Sequence, residues 1–360
     1  MAEIKISEIE GVRIGQVENV DAGTGCTVFI AENGMRAGLD VRGGGPASRE
    51  SQLLNPLMSA QMIHGIVLSG GSAFGLGTAN GVMEYLEEKG YGYDVGVTKV
   101  PLVAQADIFD LTVASPFIRP DKDMGYLAAK LAFEAPNYRD GNFGVGCGAT
   151  VGKIKGMDYC MKSGIGSYAI QVGDLKVGCV VAVNALGDVI DWKTGKQIAG
   201  LLSEDKKSLR STVEVMRSNI ESVENKFTGN KSAGDEFVDG KSVGDEFTGN
   251  TTVAVVMTNA FFDKTKLCKI AGMAHDGYAR SINPVHTTAD GDSIYAVSLG
   301  ELVVDQDLVG TLAAEVVSEA IIRAITGAES AYGYPSAAEL ASFTTGAYIP
   351  VSGGRVMPGI

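Results

Sequence analysis

Phe247-Thr248-Gly249-Asn250-Thr251-Thr252-Val253-Ala254-Val255-Val256 joins two segments of opposite character. Ahead of it runs a polar, glycine-rich stretch, and behind it an apolar series with β-branched residues. The second half predicts a buried strand, because Val and Thr pack well on a pleated surface. The junction Asn250-Thr251 sets a hydroxyl residue at the head of that strand. A cut just before Thr251 would leave its α-amine and its hydroxyl side by side. Such a threonine carries its own general base, since the amine can take the Oγ proton. Before the cut, the same Oγ can attack the Asn250 carbonyl and form an ester that water opens. Gly249 supplies the backbone freedom this needs. The plainer reading of Thr251 is a residue that begins a strand.

Upstream, Lys231-Ser-Ala-Gly-Asp-Glu-Phe237 recurs as Lys241-Ser-Val-Gly-Asp-Glu-Phe247. Two copies are too few for a solenoid. With little to bury, residues 227–250 read as an exposed, mobile loop. Downstream, a strand over 252–259 leads to a helix over 264–280, with Leu267, Ile270, Ala271 and Ala274 on one face. A strand over 293–297, an amphipathic helix over 307–326 and a Gly/Pro/Ser-rich loop from Gly333 follow. Between them lies Asp290-Gly291-Asp292. Residues two apart in an extended segment point the same way, so the two carboxylates would share a site and raise one pKa. Asp-Gly is also a common turn pair.

The first half reads as strands over 27–31 and 37–42, stopping at Gly43-Gly44-Gly45-Pro46, then a helix over 48–62. Residues 65–77 form a short strand and a glycine turn through Gly70-Gly71, with a helix over 78–89 behind it. That is the outline of a phosphate cradle, but neither a tight GxGxxG nor a P-loop Lys-Ser/Thr is present. The other use of such glycines is close approach of a helix or a substrate to the backbone. Residues 95–118 are strand-like and broken by prolines, and 125–133 predict a helix. Gly144, Gly146 and Gly148 alternate in a run ending at Lys153, which predicts a strand with one bare face. A strand over 177–183 ends at Asn184, either a turn residue or a donor aimed at an oxyanion. Residues 203–226 predict a helix.

At 360 residues and 45% hydrophobic content, one large α/β domain or two small ones are both allowed. The net charge of −13 argues against nucleic acid and anionic membranes as partners. The N-terminus lacks a signal-peptide pattern, and the late apolar segment carries Asp307, Glu315, Glu319 and Arg323. Five cysteines without a CxxC pair fit a reducing cytoplasm. His64, His275 and His286 are scattered, so no metal motif and no cofactor is expected. A serine-type triad is weakly supported, since no G-x-S-x-G elbow occurs.

Thr248-Gly249-Asn250-Thr251-Thr252-Val253, the 284–297 stretch with His286 and the Asp pair, Leu68 to Leu76 and Val151-Gly152-Lys153 form an ordered set. On these residues the chain resembles the L-aminopeptidase D-amidase/D-esterase family, which includes the β-aminopeptidases and nylon-oligomer hydrolases. The resemblance covers about 13–330. It implies an α+β fold, a four-layered αββα sandwich of the N-terminal-nucleophile type. The chain would be a single self-processing domain, cut into 1–250 and 251–360, with the processed pairs assembling as a homo-oligomer. Asn250-Thr251 would be the autocleavage bond and Thr251 the nucleophile. Asn184 matches the family's oxyanion-stabilising Asn. Lys153 matches the active-site lysine, and Asp290 and Asp292 the carboxylate pair, of the nylon-oligomer hydrolases. Gly70, Gly71 and Phe109 fall in the expected substrate pocket. Phe109 stands where characterised members have a tyrosine, so a hydroxyl is lost there. The implied activity is hydrolysis of a small amide, peptide or ester through an acyl-enzyme. The narrower alternatives are an ω-amino-acid oligoamide hydrolase and an ornithine-acetyltransferase-like acyl transferase.

Overall fold

The computed structural model describes residues 1–218 and 249–345. The loop expected over 227–250 therefore lies outside the described residues except for Gly249 and Asn250, as does the end of the helix expected over 203–226. In chain order the main strands are β1 (Ala2–Ile4), β2 (Arg13–Asn19), β3 (Thr24–Val41), β4 (Ala47–Arg49), β5 (Ile63–Ser69) and β6 (Val103–Asp107). They continue as β7 (Ile165–Val172), β8 (Leu175–Asn184), β9 (Thr251–Ala260) and β10 (Ser293–Leu302). The longer helices are α1 (Thr78–Glu88), α2 (Lys122–Glu134), α3 (Lys264–Ser281), α4 (Gln306–Thr326) and α5 (Ala337–Thr345).

One strand belongs to two sheets. The first half of β3 pairs with β2 and β5, and the register breaks between Ile30 and Met35. Its second half pairs with β10. The first sheet runs β1-β7-β8-β9-β10-β3, and the second continues β3-β5-β6-β4 with β2 on the other side of β3. Folding back through β3 lays the sheets face to face. Val180, Val253, Val255 and Tyr295 from one meet Phe29, Ile66, Leu68 and Ala104 from the other. The alternate residues Val181, Ala254, Val256 and Ile294 face outward onto α3 and α4, with Leu267, Ile270, Val316 and Ile321. On the opposite side Val28, Val67 and Val103 pack against Val82, Leu86, Ala128 and Ala129 of α1 and α2. The order is helices, sheet, sheet, helices, a four-layered αββα sandwich. Because both faces of β9 are covered, it reads as a continuous apolar run instead of an alternating one.

Three helices start on an aspartate cap: Asp121, Asp263 and Asp305 each accept an N–H from the first turn. A cap of this kind contributes about 1 kcal/mol. No helix among the described residues is long and apolar enough to cross a membrane.

Four expectations are corrected. Residues 48–62 hold only a 3-10 turn, Ser51–Leu54. Asn55 precedes Pro56 and is extended, which stops a helix there, and Leu57 is exposed. The alternating glycines are not a strand, since Gly144–Gly148 is a 3-10 turn and only Thr150–Val151 is extended. They serve close backbone approach: a Cβ on Gly146 would strike the Ile165 amide, and one on Gly148 the Gly23 carbonyl. Residues 203–211 are not helical, and the tail beyond Gly333 contains α5.

The α1–α2 crossing depends on two glycines that nest in opposing backbones. A Cβ on Gly81 would run into the Lys122 carbonyl, and one on Gly125 into the Thr78 carbonyl. Gly81→Ala is therefore expected to destabilise the fold by about 1–3 kcal/mol. Gly272→Ala in α3, where the new carbon meets only ordinary contacts at 3.5 Å, should stabilise by up to about 1 kcal/mol. Chemical denaturation of the two variants would check the opposite signs.

Candidate active site

Strand pairing sets the site. β8 and β9 are antiparallel, and their register places Asn184, the last residue of one, opposite Thr251, the first of the other. β9 and β10 are parallel neighbours joined through α3, with Val253 opposite Ser293. The start of β10, and so Asp292 just before it, arrives at the same edge as Thr251. Asn250 extends the pairing as a parallel bridge to Asp290. Its N–H donates to the Ala289 carbonyl at 3.2 Å, and the Gly291 N–H donates to the Asn250 carbonyl at 2.8 Å. The Gly43–Gly45 turn holds this loop from the other side. Gly45 N–H donates to the Asp290 carbonyl at 2.8 Å and Arg42 N–H to the Asp292 carbonyl at 3.0 Å.

Thr251 is 4% exposed, and its hydroxyl donates to the carbonyl of Asn250. Gly291 presses on it so closely that a Cβ there would lie 2.7 Å from Thr251 Oγ1. Asp292 Oδ1 accepts the Thr252 N–H at 2.7 Å. Its Oδ2 accepts the backbone N–H of His286 at 3.0 Å and faces His286 Nδ1 at 2.9 Å. Against a carboxylate that ring nitrogen is the donor. Asp290 Oδ2 accepts the Thr287 N–H at 2.8 Å and the Thr287 hydroxyl at 2.5 Å. The two carboxylates thus grip the backbone and loop around Thr251. Burial first, and then the charge of Asp292, raise the Asp290 carboxyl above its ordinary range.

Lys153 is fully buried, and its Nζ donates to Asn184 Oδ1 at 2.8 Å, the Asn184 carbonyl at 3.2 Å and the Gly249 carbonyl at 3.3 Å. Burial lowers its pKa to about 8, against the opposing pull of Cys160, Asp290, Asp110 and Asp292. Asn184 Oδ1 also accepts the Thr150 N–H at 3.1 Å, which fixes its amide orientation. Its Nδ2 donates to the Phe109 carbonyl at 2.9 Å. Phe109 packs against Gly249, where a Cβ would come 2.6 Å from Cδ2. Thr251, Asn250, Asn184, Lys153, Asp290, Asp292 and Phe109 therefore converge on one junction.

Gly70 and Gly71 stand one step behind it. They close around Asp110, the residue after Phe109, and Gly71 N–H donates to Asp110 Oδ1 at 2.7 Å. Thr24 donates to its other oxygen at 2.6 Å. Burial pushes the Asp110 carboxyl up to about 6. The N–H that a phosphate would need at this turn already serves a buried carboxylate.

Gly291, the Gly43–Gly45 turn and His275 carry no functional signal in the sequence. His275 is buried on α3, with its ring centroid 4.7 Å from that of His286 and its Nε2 3.1 Å from the Asp40 carbonyl. Its position eleven residues before His286, on a separate element, carries no periodic signal.

The sequence profile of peptidase family S58 matches residues 5–338. An uncharacterized aminopeptidase of Mycobacterium leprae is 32% identical over 362 residues, covering 92% of this chain and 92% of the relative. The 6-aminohexanoate-oligomer endohydrolase of Paenarthrobacter ureafaciens is 28% identical over 331 residues, covering 88% and 84%. Among solved structures, a β-aminopeptidase of Burkholderia sp. superposes with a TM-score of 0.60 at 18% identity, over 94% and 92% of the two chains. An L-aminopeptidase D-Ala-esterase/amidase of Ochrobactrum anthropi, described as a variant of the Ntn hydrolase fold, gives 0.57 at 16% identity over 90% and 86%. The fold of this chain is of the N-terminal-nucleophile hydrolase type.

Burial holds the His275 pKa down to about 4, with the neighbouring His286 adding to the effect. The unfolded chain takes up that proton near pH 6.5. The buried neutral ring therefore contributes stability that is present above 6.5 and lost as pH falls toward 4. Relative to His275→Phe, the wild type should lose about 2 kcal/mol between pH 7 and pH 5. Denaturation of both proteins at the two pH values measures this, and a constant difference would contradict it.

Proposed function

We infer that this chain, which belongs to peptidase family S58 and is a hydrolase of the peptidase class, cleaves itself before Thr251 and then works as an N-terminal-threonine amide hydrolase. The observation that carries the reading is the double hold on one carbonyl. The Asn250 oxygen receives the Thr251 hydroxyl and the Gly291 N–H together. A donor on that oxygen stabilises the charge that develops there when Oγ attacks the carbonyl carbon.

Attack forms a bond from Thr251 Oγ to the Asn250 carbonyl carbon. Collapse breaks the C–N bond, the proton lost from Oγ passes in net to the departing nitrogen, and the Thr251 amine is freed, leaving an ester. Water then opens the ester, releases the Asn250 carboxylate and restores the hydroxyl. The matured Thr251 uses its own neutral amine to accept the Oγ proton as it attacks a substrate amide. Departure of Asn250 vacates the Gly291 N–H for the substrate's oxyanion. Asn184, oriented by Lys153 and Thr150, supplies a second amide at the same edge. Asp292 anchors the strand behind the nucleophile through Thr252. The Asp290–Asp292 pair offers negative charge to an amine-bearing substrate. Small amides, peptides or esters are the proposed substrates, and a homo-oligomer of processed pairs the proposed assembly. No cofactor enters these steps.

Fragments of 250 and 110 residues (360 − 250 = 110) are expected from the purified chain, while Thr251→Ala stays whole. Intact mass measurement after long incubation decides between these outcomes. Gly291→Ala puts a carbon 2.7 Å from Thr251 Oγ1 and should slow processing roughly 100-fold. The processed enzyme, with Thr251→Ala as control, should hydrolyse at least one of L-alanine p-nitroanilide, D-alanine amide, a β-dipeptide and a 6-aminohexanoate dimer. Cleavage of the same amide by Thr251→Ala would rule out the nucleophile.

A further inference from the structure

A line of side chains runs from the end of β3 to the residue after the nucleophile. The Asp40 carbonyl meets His275 Nε2 at 3.1 Å. A backbone carbonyl only accepts, so that nitrogen carries the hydrogen. The His275 ring stands edge-on to His286, with centroids 4.7 Å apart and planes at 73°. Tyr278, one turn along α3, packs on the same ring at 5.9 Å. His286 puts two donors on one oxygen of Asp292, its ring Nδ1 at 2.9 Å and its own N–H at 3.0 Å. The other Asp292 oxygen takes the Thr252 N–H at 2.7 Å.

Two details set His286 apart from a residue that merely fills space. Its backbone is left-handed, with φ of +59°. That conformation costs a side chain with a Cβ about 1–2 kcal/mol and favours Gly or Asn. Yet the twist is what lets the backbone N–H and the ring face the same carboxylate oxygen. The Asp292 carboxylate is 1% exposed, and an unaided buried charge is costly. Two donors on Oδ2 fix the carboxylate in rotation, so that Oδ1 stays on Thr252.

We propose that His286 is a positioning residue for Thr251, acting through Asp292 and braced by His275 and Tyr278. It neither touches the reacting atoms nor moves a proton in the reaction. Loss of its ring lets Asp292 rotate, which loosens Thr252 and with it the placement of Thr251 Oγ against the Asn250 carbonyl. This role rests on the self-cleavage reading above and refines it.

The test compares substitutions that both suit a left-handed backbone. His286→Gly removes the ring, while His286→Asn restores an N–H donor. Full-length chains from cell-free translation are followed on denaturing gels, with wild type and Thr251→Ala alongside. His286→Gly should self-cleave roughly 10- to 100-fold more slowly than wild type. His286→Asn should remain within about threefold of it. Adding His286→Gly to Asp292→Asn should slow cleavage no further than Asp292→Asn alone, within about twofold, because both act at one contact. Melting curves in the Thr251→Ala background, where every chain stays whole, separate misfolding from mispositioning. If a His286→Gly chain melting like its parent cleaves at the wild-type rate while Thr251→Ala stays whole, the self-cleavage reading stands and the positioning role is overturned. Equal defects in the Gly and Asn variants, or additive defects with Asp292→Asn, overturn it as well. If wild type itself stays whole, both readings fall.

Discussion

The pairing of β9 with β8 on one side and β10 on the other is the constraint on which the site depends. Strand side chains alternate with a period of two, so a slip of one residue turns every side chain to the opposite face. In the observed register Val253 and Val255 enter the space between the sheets, while Ala254 and Val256 meet the helices. Burying each valine contributes about 1.5–3 kcal/mol, and a slipped β9 would have to exchange these sets in two differently shaped cores. The packing of four apolar residues thus fixes where Thr251 points. Asn184 and Asp292 are placed by the same ladder, one through antiparallel and one through parallel pairing.

That geometry gathers charge in a dry place, and the chain manages it by hydrogen bonding. Lys153, Asp290 and Asp292 are all nearly inaccessible. Three oxygens receive the Lys153 ammonium, and Asp292 has three donors. Donors compensate buried carboxylates only while they stay aimed. This explains why glycines surround the carboxylates. A Cβ on Gly43 would collide with the Asp292 amide, and one on Gly44 would lie 2.7 Å from Thr288 Cα. The bare backbone of Gly43 and Gly45 comes close enough to donate to the Asp292 and Asp290 carbonyls, which holds the loop that carries both carboxylates.

What the sequence disclosed divides along the same line. Strands and helices built from long apolar periods were legible, with β9, α3 and α4 ending within two residues of their expected limits. The sheet order was not, since the residues read as two strands, over 27–31 and 37–42, are one strand, β3, that passes from one sheet to the other beyond Ile30. Glycine runs misled because a missing side chain signals close approach without naming what approaches. Gly144–Gly148 read as a strand and is a turn pressed between Gly23, Gly141 and Ile165. At the site, Thr251 and the Asp pair stood out by residue type at a junction. His275 and the Gly291 N–H could not, because their roles exist only once α3 and the loop before β10 come together.

Phe109 shows how a side-chain chemistry can be absent while its position still matters. Its carbonyl, not its ring, takes the Asn184 amide, so any residue at 109 could hold Asn184 in this way. The ring covers Gly249, two residues before Thr251, and leaves no room there for a side chain. Under the proposed cleavage Gly249 becomes part of a free C-terminal end. Its withdrawal would uncover Phe109 and remove one of the three oxygens around Lys153. A tyrosine at 109 would present a hydroxyl there; phenylalanine presents only hydrocarbon. The placement of Thr251 therefore owes nothing to the chemistry of the side chain at 109 and rests on the strand register and on Asp292.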